Sequence, residues 1–149
     1  MIDLGSGGGF PAIPLKIMRR DLSITLVDSS KKKASFLKHV IRILALKKAS
    51  VLSVRIEELM KDGSYRSSYD YAVSRATFKL SRLLPFASYF LSTHGFLICM
   101  KGRNWKKELE EAQNVIDTSH LQLQVSEIRE ITLPLIKEKR VIVIIQKNQ

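Results

Sequence analysis

At 149 residues with 45% apolar side chains, the chain has the size of one domain and can bury one sizeable core. Its single cysteine, Cys99, excludes an intrachain disulfide and suits a reducing compartment, so the cytoplasm is the expected location; neither a signal peptide nor an apolar run approaching about 18 residues points to secretion or a membrane span. Twenty-five Lys and Arg against fourteen Asp and Glu leave a formal charge of +11, with the surplus concentrated before residue 50, which favours a polyanionic partner unless those lysines are only solvated helix faces.

The elements alternate along the chain. Met1 to Leu4 reads as the end of a strand running into the glycine loop Gly5 to Gly9, and Pro11 then sits where the first turn of a helix tolerates proline; that helix is expected to end near Arg20. Ser23 to Val27 is a β-rich run closed by Asp28, and Ser29 or Ser30 is placed to cap a helix that begins at Lys31, Lys32 and Lys33. Within that helix Phe36, Leu37, Val40, Ile41 and Leu44 keep the helical period and form the expected core stripe. Val51 to Val54 and Tyr71 to Ser74 are a third and a fourth strand, and Gly95 to Lys101 is a fifth with the continuous apolar stretch of a buried parallel strand. Leu80, Leu83, Leu84, Ala87 and Leu91 mark a helix before it; Trp105, Leu109, Ala112 and Ile116 mark another after it. Leu121 to Ile131 and Val141 to Ile145, joined around Pro134, suit an antiparallel hairpin at a sheet edge. The fold class expected is therefore α/β, a mostly parallel Rossmann-like sheet with a C-terminal antiparallel hairpin and its ligand site at the carboxyl ends of the strands.

A strand, a Gly-x-Gly-x-Gly loop and a helix in register, followed by an acid closing the next strand, suggest a nucleotide-type ligand more strongly than glycines alone. A dinucleotide fingerprint would place its third glycine at position 10, where this chain has Phe10. Asp3, two residues before the first glycine, is unhelpful beside a pyrophosphate but useful beside a cationic amino-acid or sulfonium group, which favours S-adenosylmethionine. Asp28 can accept from ribose hydroxyls or, alternatively, cap the lysine-rich helix.

The run from Asp3 to Leu15, Asp-Leu-Gly-Ser-Gly-Gly-Gly-Phe-Pro-Ala-Ile-Pro-Leu, resembles the signature of the RsmG (GidB) family of ribosomal RNA methyltransferases, and its two prolines make it more specific than the glycines do. The likeness continues through Leu26-Val27-Asp28-Ser29, Phe36-Leu37, Arg55-Ile56-Glu57-Glu58, Tyr69-Asp70, Ser74-Arg75-Ala76 and Lys101-Gly102. Ala12 stands where that family has glycine, and Lys139 where it often has arginine, which keeps the charge and loses the guanidinium fork. The resemblance implies a class I methyltransferase that moves a methyl group from S-adenosylmethionine to N7 of a guanine in 16S ribosomal RNA or the small ribosomal subunit. It also implies that Gly5, Gly7 and Phe10 touch the cofactor, that Asp28 holds its ribose, that Ile56 and Glu57 flank its adenine, and that Arg75 sits where cofactor and target base meet. An ion pair with Asp70 or a neighbouring acid is the plainer role for Arg75. Lys101 and Arg103 face RNA phosphate or are solvated loop charges. Family members carry a helical segment before the first strand; the expectation for residues 1–149 is a single methyltransferase domain without it, and hence weak cofactor binding.

Guanine N7 already offers an unprotonated lone pair, so this chemistry calls for no general base and no covalent nucleophile. His39, His94 and His120 are scattered and lack metal-ligand spacing, and no metal site is expected. The Asn/Asp-Pro-Pro-aromatic motif of exocyclic-amine enzymes is replaced by Ser74-Arg75-Ala76-Thr77, and Cys99 lies in an apolar strand rather than in the accessible loop that a carbon-5 enzyme needs. Two other readings stay open: a methyltransferase of the same class acting on a small molecule or a protein, and a basic RNA-binding protein with a vestigial cofactor loop.

Overall fold

In the computed structural model, which spans Met1 to Gln149, the chain runs β1 (Ile2–Leu4), α1 (Ala12–Met18), β2 (Ile24–Val27), α2 (Lys31–Ile43), β3 (Ala49–Leu52), α3 (Ile56–Leu59), a 3₁₀ turn at Gly63–Tyr65, β4 (Tyr69–Arg75), α4 (Leu80–Phe90), β5 (Leu91–Lys101), α5 (Trp105–Thr118), β6 (Leu123–Thr132) and β7 (Lys139–Lys147). All seven strands join one sheet in the order β3-β2-β1-β4-β5-β7-β6. The first five in that order are parallel; β7 then inserts antiparallel between β5 and β6. From β1 the chain winds outward through β2 to β3 and returns to β4 on the other side of β1. That reversal opens a crevice at the carboxyl ends of β1 and β4, where this class of sheet receives ligands.

Strand alternation divides the core between the two faces. Ile2 and Leu4 of β1 are fully buried in the larger cluster with α4, β5 and β7, whereas Leu26 and Ile24 of β2 join Ala12, Ile13 and Leu37 in a smaller cluster beneath α1 and α2. Asp3 lies between Ile2 and Leu4 and pairs in register with Leu26, so the pleat sends a carboxylate into the apolar layer under α1. Pro14 is tolerated in α1 because its missing N–H falls in the first turn, where the helix offers no acceptor.

Several elements differ from the sequence expectation. In α2, Ala34 and Leu37 are buried while Phe36 is 52% exposed and Leu44 lies past the helix end, also exposed. Successive helical residues are about 100° apart, so Phe36 cannot share the buried face of Leu37. Strand β5 starts at Leu91, not Gly95, taking the last residue expected in α4; a register irregularity between Tyr69 and Tyr71 of β4 accommodates the extension. The one-turn helix α3 and the 3₁₀ turn were not expected, being too short to show a period. At the opposite sheet edge, β6 is exposed from Glu127 to Thr132, is interrupted by a bulge between Val125 and Glu127, and carries a Glu127–Arg129 ion pair. No helix is long and apolar enough to cross a membrane.

Candidate functional site

The glycine loop is fixed by hydrogen bonds that leave one side of it bare. Gly5 and Ser6 both donate their N–H groups to the Val27 carbonyl, at 2.9 and 3.0 Å, and the Ser6 hydroxyl donates to the Asp3 carbonyl at 3.0 Å. Gly5, Gly7 and Gly9 all have positive φ, at 77°, 54° and 90°, a region that costs other residues roughly 1–2 kcal/mol each. Their surroundings differ. A Cβ on Gly5 would lie 2.5 Å from the Thr77 methyl group and one on Gly9 2.7 Å from Ile13, whereas a Cβ on Gly7 would meet nothing nearer than 3.9 Å. Gly5 and Gly9 are therefore required by packing within the protein, whereas Gly7 and Gly8 have open space where a Cβ would stand.

Asp28 joins this loop to the second helix. One of its carboxylate oxygens accepts from Gly7 N–H at 2.9 Å and the other from Ser30 N–H at 2.9 Å. The cap of α2 is Ser30, whose hydroxyl accepts from Lys33 N–H at 3.4 Å, so Asp28 is not the cap. Each Asp28 oxygen retains lone-pair capacity beside a cavity of about 340 Å³ that Gly5, Val27, Asp28, Val54, Ile56 and Glu57 line from one side and Thr77, Phe78 and Arg82 from the other. Ile56 is a core residue at the cavity floor. The Glu57 carboxylate is held below its ordinary range chiefly by its own backbone N–H at the start of α3 and then by Arg82, which donates to it at 2.9 Å.

Phe10 and Arg75 stand apart from this cavity and together. The Arg75 guanidinium lies 5.4 Å from the centre of the exposed Phe10 ring, a cation–π distance. It makes no ion pair with Asp70, which instead accepts from the Ser92 hydroxyl at 3.2 Å. Beneath it the Ser74 hydroxyl donates to the Leu4 carbonyl at 3.1 Å, tying the end of β4 to the end of β1. Arg75 also borders a second and larger cavity, about 870 Å³, walled by the ends of β5, β6 and β7.

Lys101 and Arg103, paired in the sequence reading as contacts for RNA phosphate, part company here. The Lys101 side chain is only 5% exposed; its ammonium bonds Glu108 at 2.7 Å and donates to the Phe78 carbonyl at 2.5 Å. The same Glu108 accepts from Leu80 N–H at 3.0 Å and so satisfies the start of α4. Lys101 is thus the inner half of a structural pair and cannot reach phosphate. Arg103 is exposed at the mouth of the larger cavity, 3.6 Å from Glu138, which also pairs with Arg140. Lys31, Lys32 and Lys33 are exposed, and no carboxylate pairs with them.

Asp3 is the most perturbed acid. Both of its carboxyl oxygens are buried without a hydrogen-bond partner, although the Ala12 backbone N–H faces them outside bonding geometry. Burial raises its pKa to about 7, opposed by the Ala12 amide and the Arg75 charge and reinforced by the Asp28 charge. Cys99 is fully buried in β5, and burial pushes its thiol up to about 12. Thr77, Phe78, Arg82, Glu138 and Arg140 escaped the sequence reading as site residues, since each reaches a cavity only through tertiary packing.

The description "rRNA small subunit methyltransferase G", or GidB, belongs to the family whose profile matches residues 1–134. The chain belongs to that family. It is 40% identical over 148 residues to ribosomal RNA small subunit methyltransferase G of Syntrophus aciditrophicus, covering 99% of the chain and 61% of that relative. The like-named protein of Thermoanaerobacter sp. is 39% identical over 147 residues, with 99% and 60% covered. The chain therefore spans about 60% of the length of these curated methyltransferase G relatives. A predicted O-methyltransferase from Agrobacterium tumefaciens superimposes with a TM-score of 0.78 at 18% identity over 99% of this chain and 73% of that one. An SAM-dependent methyltransferase from Methanosarcina mazei does so with a TM-score of 0.71 at 18% identity, covering 99% and 91%. The likeness to these two solved structures shows the class I fold expected from the sequence.

Proposed function

We propose that this chain binds S-adenosylmethionine across the ends of β1, β2 and β4 and transfers its methyl group to N7 of a guanine in 16S ribosomal RNA. The observation that carries the reading is Asp28, pinned by Gly7 and Ser30 N–H groups at the rim of a cavity with a carboxylate wall and an apolar floor. That donor set fits an adenosine: the free lone pairs of Asp28 accept from ribose hydroxyls, and Val54, Ile56 and Phe78 offer apolar surface to a base. The open space at the Gly7 Cα fits close backbone approach.

When bound, the cofactor supplies an electrophilic methyl group. What this chain contributes is alignment and exclusion of water. Arg75, on the rim of the larger cavity, is the residue assigned to face cofactor and acceptor, and Phe10 beneath its guanidinium limits its swing. The lysines at the start of α2 support an RNA partner. Cations are disfavoured at a helix N-terminus, yet Lys31, Lys32 and Lys33 occupy it with no acid in the first turn, an arrangement that phosphate would relieve.

Calorimetric titration with S-adenosylmethionine tests the cofactor site. Asp28→Ala is expected to weaken binding roughly 10- to 150-fold, the loss of a charge-assisted contact of about 1.5–3 kcal/mol. Unchanged affinity in that variant removes the cofactor from this cavity. Incubation with labelled cofactor and undermethylated 16S RNA, followed by mapping, tests the reaction; a label on a base other than guanine, or on no RNA at all, refutes the acceptor.

A further inference from the structure

The larger cavity has a polar centre that the cofactor reading leaves unused. Along the sheet its wall runs from Arg75 at the end of β4, past Met100 on β5, to Ile142 on β7 and Ile131 on β6, with Leu133 and Glu138 in the β6–β7 connection closing the far side. Arg75 and Ile142 flank Met100 of β5, two strand spacings or about 10 Å apart, and Glu138 lies four residues before Ile142, further beyond the end of β4, so the cavity between Arg75 and Glu138 is wide enough to hold a purine. Met100, Ile131, Leu133 and Ile142 offer apolar surface to the faces of a base, a requirement for any base taken out of its stack. Glu138 is the one carboxylate in the wall. Arg140 pairs with one of its oxygens and orients the carboxylate, Arg103 stands off the other at 3.6 Å without a hydrogen bond, and each oxygen keeps a free lone pair.

We propose that Glu138 selects guanine in this cavity by accepting from its N1–H and exocyclic N2–H, with Arg140 holding the carboxylate and Arg103 on a phosphate beside it. The inference rests on the function proposed above, and adds the residue that distinguishes one purine from the other. A carboxylate accepts only. Guanine presents two donors on its Watson–Crick edge, whereas adenine presents a ring nitrogen lone pair that a carboxylate repels. With that edge against Glu138, the opposite edge of the ring, which carries N7, faces Arg75 and the glycine loop. Arg103 is largely exposed and free to leave its 3.6 Å approach for a phosphate oxygen.

Nuclear magnetic resonance titration of the full chain with GMP, IMP and AMP at millimolar concentration tests this directly. GMP is expected to bind more tightly than AMP by about 5- to 150-fold, the span of one bidentate base contact. IMP keeps N1–H and lacks the exocyclic amine, so it falls between. Glu138→Gln, which exchanges one acceptor for a donor, is expected to bring the GMP-to-AMP ratio close to unity, while Arg103→Ala weakens all three nucleotides together and leaves their ratios in place. Circular dichroism confirms folding of each variant, and Glu138→Ala provides a second removal of the carboxylate. Equal binding of GMP and AMP by the unaltered chain, no binding of any of the three, or a GMP-to-AMP ratio that survives both Glu138 variants overturns the assignment. S-adenosylmethionine titration of the same samples separates the two levels: cofactor binding without guanine preference fails this inference alone, and absence of cofactor binding fails the function on which it rests.

Discussion

Replacing Asp3 by asparagine should remove most of the protein's pH-dependence of stability above about pH 5. The folded carboxyl has a pKa of about 7 against an ordinary 3.8, so between those values the folded state holds a proton that the unfolded state has lost. Stability then falls as pH rises, by about 1.4 kcal/mol per pH unit, and the whole span comes to about 4 kcal/mol. About 2.5 kcal/mol of it falls between about pH 5 and pH 8, equivalent to a melting temperature lower by about 5–10 °C at the upper end. Asp21, Glu57 and Asp62 have lowered pKa values; their contributions are complete above their ordinary values and vanish only below them, outside this window. The Met1 ammonium is held below 8.0 by burial and adds a slope of opposite sign close to that value, so the informative quantity is the difference between the two proteins. Urea unfolding at several pH values, monitored by circular dichroism, should show unaltered protein losing stability toward pH 8 while Asp3→Asn stays level and becomes the more stable of the two. Parallel profiles would refute the buried, unpartnered carboxyl.

Three other outcomes follow from the packing. Lys101→Ala leaves Glu108 without its buried cation and should cost about 3 kcal/mol in chemical denaturation, without altering the salt dependence of the proposed RNA binding; a flattened salt dependence at unchanged stability would make Lys101 a phosphate contact after all. Cys99, with its thiol pushed up to about 12 in a closed core, should resist a thiol reagent in native buffer and react at the rate of global unfolding in denaturant, as followed by absorbance. Gly9→Ala combines positive φ with a 2.7 Å approach to Ile13 and should destabilise more than Gly7→Ala, which carries only the strain of its φ, about 1–2 kcal/mol; equal melting temperatures would contradict the different surroundings of the two glycines.

The parts of the molecule that could be read from sequence are those determined within a few residues. The turn from β1 into α1 needs glycine and proline at fixed positions, and an acid closing β2 lies one strand away by parallel pairing, so Gly5, Gly7 and Asp28 come together with little help from the rest of the chain. Leu83, Leu84 and Ala87 show their period because α4 buries one face. Phe36 misled because an aromatic beside a periodic leucine counts toward the stripe in sequence yet points about 100° away in space. Lys101 misled for a different reason. Its charge reads as solvent-facing, and only the approach of α5, which brings Glu108 beneath the start of α4, makes a buried ammonium tolerable. The Arg103–Glu138–Arg140 cluster joins the loop after β5 to the final hairpin, a pairing for which no local pattern exists.

The way the sheet ends at β6 bears on the life of the protein among its own copies. Ten residues of edge strand with two half-exposed isoleucines, Ile128 and Ile131, present free backbone donors and acceptors to any passing strand, the arrangement from which cross-chain polymers grow. The bulge after Val125 twists that edge out of a flat register, and Glu127, Arg129 and Glu130 place both signs of charge along it, so that a second copy arriving in antiparallel register must bury charged side chains to pair. The strand that completes the wall of the larger cavity thereby also disfavours edge-to-edge pairing with another strand.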